Sequence, residues 1–250
     1  MNFINKLFRK SRSKPNGIFC ENLEKIIEFE PQSYAHYYRA FMHSSMQEKD
    51  ENGSDLNYER LEFLGDSVLN TVISSYLFKH APQGNEGYLT VMRSKIVSRK
   101  HLNLIGEELG LLKLLMRNIP DHQLGKNITG NVFEALIGAI YLDQGYLFSA
   151  RFIQKCLIDK YVDLNELEKR VTSYKSLVIK WCQKNKHDFE FCTKVDDGCD
   201  EQQHFSVCFL IDDEVVSKAR ETSKKRAEEK AAKRAYYALQ SEIKTKTLNI

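Results

Sequence analysis

Residues 132–142, VFEALIGAIYL, are apolar nearly all round a helical turn, with Glu134 set among them. A helix of that kind is buried on most of its sides, so the chain must supply other helices as its walls. A buried carboxylate is costly without a partner, so whatever packs there must also meet Glu134. Asn131 lies three residues before it, on the same side of the helix. The run is about half the ~20 residues that a membrane span needs, which excludes a transmembrane role.

The walls are visible in the pattern. Between about 20 and 160, segments such as ENLEKIIEF, SYAHYYRAFMHSS, YERLEFLGDSVLNTVISSYLFKH and NVFEALIGAIYLDQGY repeat apolar residues every three or four positions. Breaks fall at Glu30-Pro31, Ala81-Pro82-Gln83-Gly84 and Ile119-Pro120. No strand-like alternation interrupts them. The polar stretch 163–172, DLNELEKRVT, reads as a linker or a frayed helix end. Beyond it SYKSLVIKWCQKN is helical, with Leu177, Val178 and Trp181 facing inward. Three short β runs follow, DFEFCTKV, HFSVCFLI and EVVSKARE, and then a last helix, TSKKRAEEKAAKRAYYALQ. That order, α-β-β-β-α, makes a complete small α+β domain, and 250 residues accommodate both units.

Thirty-seven basic and 34 acidic residues leave a net charge of only +3, so charge is informative only locally. Five basic and no acidic residues fall within the first 14, without the apolar run of a signal peptide. From Lys218 to Arg234 eight basic residues face three acidic ones. There Thr222 or Ser223 can cap a helix whose first turn holds Lys224, Lys225 and Arg226. The helix dipole disfavours cations at that end; a phosphate in front of the helix would reverse the penalty and bond the free N–H groups. Ala227, Ala231, Ala235 and Leu239 form the packed stripe. The six cysteines show neither C-x-x-C nor zinc-site spacing, and read as reduced, packed thiols.

The segment from Asn57 to Leu69 places Glu59, Glu62 and Asp66 within about 60° on a helical wheel, opposite Leu61, Leu64, Val68 and Val72. Three like charges on one stripe repel each other. Solvent or nearby Arg and Lys can neutralise them; so can a hard divalent cation, which takes carboxylate oxygens. Set beside Glu62 and Asp66, Glu134 would complete an oxygen cage, with the Asn131 amide oxygen as a neutral fourth ligand. Gly138 and Ala139 are small enough to let the two helices approach closely.

ERLEFLGDSVL resembles the signature of the ribonuclease III family, bacterial type. NVFEALIGAIYLD resembles its second acidic motif, and SKKRAEEKAA that of its double-stranded RNA-binding domain. The resemblance runs from about residue 20 to 241. It implies an all-α endonuclease domain followed by a small α+β (α-β-β-β-α) double-stranded RNA-binding domain. The divisions would be a basic arm at 1–19, the endonuclease domain at 20–162, a linker at 163–172, the RNA-binding domain at 173–241 and a tail at 242–250. The implied activity is Mg²⁺-dependent hydrolysis of duplex RNA by a homodimer. Each subunit would cut one strand, giving 5′-phosphomonoesters and a short 3′ overhang. Two Mg²⁺ per active site are implied, Mn²⁺ being able to substitute, with no organic cofactor and no membrane partner. Ribosomal-RNA precursors and structured transcripts in a bacterial cytoplasm are the implied substrates.

Residue by residue, the resemblance assigns Glu62, Asp66, Asn131 and Glu134 to the metal site, Asp66 and Glu134 being the catalytic pair least open to replacement. Glu59 and Glu86 match acidic positions near the cleavage groove. Lys224 and Lys225 would take RNA phosphates, and His43, within Ala40-Phe41-Met42-His43-Ser44, is a structural histidine. The family usually has Asp where this chain has Asn131. The substitution leaves three carboxylates and opens an alternative, a non-catalytic duplex-RNA binder that keeps the scaffold. In the RNA-binding domain Val178 and Ile179 fall near positions that usually carry polar groove contacts. Glu201 replaces a usual His, and His204 directly precedes Phe205.

Overall fold

The structure, a computed structural model, describes residues 17–169, 171, 173–196 and 203–239. The basic arm up to residue 16, Glu201 and the tail from 240 lie outside the described residues. The chain divides into two compact units, Met1–Glu168 and Lys169–Ile250, each with its own apolar core.

The first unit is helical. Its elements are α1 (Ile18–Ile27), α2 (Tyr34–Ala40), α3 (Glu59–His80), α4 (Glu86–Ile96), α5 (Arg99–Glu108), α6 (Ile128–Gln144), α7 (Tyr146–Ile153) and α8 (Leu164–Lys169). α6 is the helix of the apolar run. From Val132 to Ile140 every residue is buried except Glu134, which is partly so. The run's last two residues, Tyr141 and Leu142, are exposed. Against α6 packs α3, whose buried residues Leu61, Gly65, Val68, Leu69, Val72, Ile73 and Leu77 keep the helical spacing of a single face.

The two helices meet backbone to backbone. A Cβ placed on Gly65 would sit 1.7 Å from the carbonyl oxygen of Glu134, and one on Gly138 would sit 2.3 Å from that of Leu61. α5 approaches the start of α6 in the same way: a Cβ on Gly106 would lie 2.3 Å from the Thr129 carbonyl. α6 is therefore gripped by two helices at van der Waals contact.

Two segments depart from their periodicity. SYAHYYRAFMHSS reads as one helix, but α2 ends at Ala40 because the next residues pair elsewhere. The Phe41 carbonyl accepts from Met116 N at 2.8 Å, and His43 N donates to the Met116 carbonyl at 3.0 Å. The strand-like Met42–Met116 bridge they form buries Phe41 and Met42 completely. His43 Nδ1 accepts from Ser45 N at 3.1 Å, holding the turn that follows. The polar stretch from 163 contains α8, whose Leu167 is buried in the helical core; Lys95 Nζ donates to the Leu167 carbonyl at 2.6 Å. No helix among the described residues is long and apolar enough to cross a membrane.

The second unit contains α9 (Tyr174–Asn185), β1 (Phe189–Asp196), β2 (His204–Ile211), β3 (Glu214–Glu221) and α10 (Lys224–Ala238), with an antiparallel sheet in the order β1-β2-β3. Asp212 and Asp213, both at positive φ, make the two-residue β2–β3 turn. Val207, Phe209, Ile211 and Ala219 from the sheet meet Val178, Trp181 and Cys182 of α9 and Ala227, Ala231, Ala232 and Ala235 of α10. Val178 is wholly buried, as its helical spacing had indicated, although its motif match falls near a polar groove position. Glu229 joins the two helices: its carboxylate accepts from Ser173 Oγ at 2.9 Å and Tyr174 N at 2.5 Å. A negative charge there satisfies the first turn of α9. The described cysteines, 20, 156, 182, 192 and 208, are free thiols.

Gly65→Ala forces its new Cβ into the α6 backbone and is expected to cost about 3 kcal/mol. Gly17, with extended backbone and open space around its Cβ position, accepts Ala with a change within about 0.5 kcal/mol. Urea denaturation of the two variants measures the contrast; equal midpoints would contradict the close helix crossing.

Candidate active site and nucleic-acid interface

Where α3 passes α6, their polar residues open into a cavity of about 560 Å³. Glu59, Glu62, Phe63 and Asp66 come from α3, and Gly130, Asn131 and Glu134 from α6. Val97, Arg99, Leu102, Asn103 and Asn127 complete the lining. The two acidic stretches, some 70 residues apart in the chain, thus share one wall. Glu86 does not line it. It is exposed at the start of α4, where its Oε1 accepts from Thr90 Oγ1 at 3.0 Å.

The carboxylates are not equivalent. Glu59 and Asp66 are exposed, whereas Glu62 and Glu134 are partly buried. Burial pushes the Glu134 carboxyl up to about 7, aided by repulsion from Asp66 and Glu62 and opposed by Arg99. Glu62 is raised by burial first and then by Glu59, again with Arg99 opposing. Asp66 Oδ1 accepts from Asn70 Nδ2 at 2.7 Å, one turn along α3. Asn131 is hydrogen-bonded to the hydroxyl of buried Tyr58.

These residues can hold a hard cation. Every candidate donor is an oxygen, and among the described residues no thiol or imidazole lines the cavity; that is the donor chemistry of Mg²⁺ or Mn²⁺. The raised carboxyls mark a site short of positive charge. Among the described residues no three His, Cys, Asp or Glu side chains are already drawn in around one point. The carboxylates line a common wall while standing apart, as like charges do.

Two residues of the site escaped the sequence reading. Asn103 fastens α5 to the entry of α6. Its Oδ1 accepts from Gly130 N at 2.9 Å and its Nδ2 donates to the Lys126 carbonyl at 3.0 Å, which sets where Asn131 and Glu134 begin. Nothing in the local pattern distinguishes this asparagine from a surface one. Arg99 did leave a signal, a cation in the first turn of a helix that has no acidic residue there.

In the second unit Lys224 and Lys225 are both exposed in the first turn of α10. Ser223 caps that helix, its side chain accepting from Arg226 N. Along α9, Ser176, Lys180, Gln183 and Lys184 are exposed, and they form the polar face of that helix in place of Val178.

Residues 35–161 match the Ribonuclease-III-like family model, and residues 174–239 match the double-stranded RNA binding motif. The chain belongs to the ribonuclease III family. It is 55% identical to a Ribonuclease 3 of Zunongwangia profunda, over 93% of this chain and 96% of that one. It is 51% identical to a Ribonuclease 3 of Flavobacterium psychrophilum, over 97% and 99%. A solved nuclease domain of ribonuclease III from Campylobacter jejuni, described for flexibility in a region involved in dimer formation, superposes with a TM-score of 0.50 at 29% identity. That match covers 56% of this chain and 97% of that one. The helical unit is thus a ribonuclease III nuclease fold, and the α-β-β-β-α unit a double-stranded RNA-binding fold.

Glu134 also makes the cavity sensitive to pH. Its folded-state carboxyl titrates near 7, above the ordinary 4.5. The folded protein therefore holds a proton that the unfolded chain releases earlier, and stability is lost as pH rises across that interval. Divalent-free protein is expected to show a melting temperature that falls from pH 4.5 to 7 more steeply than that of Glu134→Gln. Added Mg²⁺ should restore the wild type at pH 8. Parallel pH profiles for the two proteins would contradict the assignment.

Proposed function

We propose that this endoribonuclease of the ribonuclease III family hydrolyses duplex RNA at the α3–α6 cavity, with Mg²⁺ held by Glu62, Asp66, Asn131 and Glu134. The observation that carries the reading is the shared wall: two acidic helices present only oxygen donors to one cavity. Bound divalent ions would supply charge neutralisation and Lewis acidity toward a phosphodiester and its attacking water.

The chain's own residues do the rest. Glu134 keeps a proton near neutral pH while the cavity is empty of cations, and gives it up when a cation takes the proton's place. Asn131 contributes a neutral carbonyl oxygen, and its bond to Tyr58 limits how far it can swing. Glu59 keeps the rim negative. Asp66 and Glu134 are the catalytic pair because they come from different helices and face the same space. Glu86, outside the lining, belongs to the outer groove.

Lys224 and Lys225 serve duplex phosphates from the start of α10, where the helix dipole adds to their charge. The protein acts as a homodimer. Phe63, 78% exposed on the acidic helix itself, is a large apolar surface that a second copy would cover, and the Campylobacter jejuni relative is described with a dimer-forming region. Ribosomal-RNA precursors and structured transcripts in the cytoplasm are the duplexes that fit the reading.

Incubating the protein with long duplex RNA separates cleavage from binding alone. Wild type is expected to cut only with Mg²⁺ or Mn²⁺, and Glu134→Ala to bind the duplex with unchanged affinity while cutting at least 100-fold more slowly, about 3 kcal/mol of barrier. Cutting by Glu134→Ala at the wild-type rate would refute the site; binding without cleavage by wild type would favour the non-catalytic alternative. Lys224→Ala/Lys225→Ala should weaken duplex binding irrespective of sequence and reduce the slope of log affinity against log salt by about two. An unchanged slope in filter binding would remove these lysines from the interface.

A further inference from the structure

We propose that Arg99 is a substrate-contacting residue, its guanidinium taking a backbone phosphate of the duplex at the rim of the carboxylate cavity. The inference rests on reading that cavity as the cleavage site.

Among the described residues that line the cavity, Arg99 is the one cation. Its side chain is exposed, and among the described residues no hydrogen bond or ion pair holds it. It is therefore not spent on clamping the fold. It stands with Lys100 in the first turn of α5, where there is no acidic residue and the helix dipole disfavours positive charge. An arriving anion would turn that penalty into a gain.

The charge also acts against cations. Arg99 is near enough to Glu62 and Glu134 to offset part of the upward push on both carboxyls, and the same field repels a divalent ion. A site built only to gather cations gains nothing from an arginine on its wall. A site that must also receive a phosphodiester gains a second electrostatic hold on the substrate. The planar guanidinium suits that partner, because its parallel N–H groups match two phosphate oxygens. The competing role is a counter-ion for the empty carboxylates, which would leave RNA untouched.

The two roles differ in their effect on RNA and can be separated with Arg99→Gln and Arg99→Lys in the full chain, using long duplex RNA at saturating Mg²⁺. Arg99→Gln should keep its melting temperature, lose about tenfold in kcat/KM chiefly through KM, and flatten the slope of log kcat/KM against log salt by about one. Arg99→Lys should regain the slope but only part of the KM. Calorimetric Mg²⁺ uptake by RNA-free Arg99→Gln should be as tight as in wild type or tighter. Tighter Mg²⁺ uptake with KM and salt slope both unchanged would assign Arg99 the counter-ion role and overturn the proposal. A wild type that cleaves normally beside an indifferent Arg99→Gln sinks this inference alone. A wild type that never cleaves duplex RNA sinks the cleavage-site reading and the inference with it.

Discussion

The contact between Gly65 of α3 and the backbone of α6 is the constraint on which the helical unit depends. Without a Cβ at 65 or 138 the two helices sink to carbonyl contact, and only at that depth do side chains one turn away on each helix open into the same cavity. Larger residues would move the axes apart, toward the 8–10 Å of ordinary helix pairs. Glu62 and Asp66 would then face a gap where Glu134 now shares their wall. The apolar sides of both helices make the approach favourable; the glycines allow it to go far enough.

That closeness has an electrostatic consequence. Glu134 is carried into a largely buried position by a helix that has no other polar residue between Val132 and Ile140. Burial first, and then the neighbouring carboxylates, raise its carboxyl to about 7. Packing energy is thus used to keep a cluster of oxygen donors under-neutralised, the condition in which a divalent ion gains most. Arg99 moderates the field without closing the site. The second unit uses the reverse arrangement, with Lys224 and Lys225 placed where a helix end already favours anions and Glu229 turned inward to cap α9.

Much of this was legible in the residues. The period of three and four locates α3 and α6, and the α-β-β-β-α order is complete in the residue pattern. The wheel of Glu59, Glu62 and Asp66 matches one wall of the cavity. What local spacing left open has a common origin. α2 stops short because the backbone at Phe41 and His43 bonds to Met116, far along the chain. Val178, inward by helical spacing but near a polar contact position by its motif match, fills the core beneath the sheet. Glu86, matched to an acidic position near the groove, stands on α4 outside the cavity lining. In each case a distant partner decided the outcome, and local spacing carries no record of that partner.

Periodicity and side-chain chemistry by themselves determined which segments are helices or strands, which faces are apolar, and that the acidic residues offer hard oxygen donors. Those properties depend on residues within a turn or a strand pair of each other. Only the tertiary structure decided that Glu134 stands across from Glu62 and Asp66, that Asn103 anchors the entry of α6, and that Arg99 joins the wall. Proximity between elements is set by packing depth and crossing position, which arise only when the helices meet.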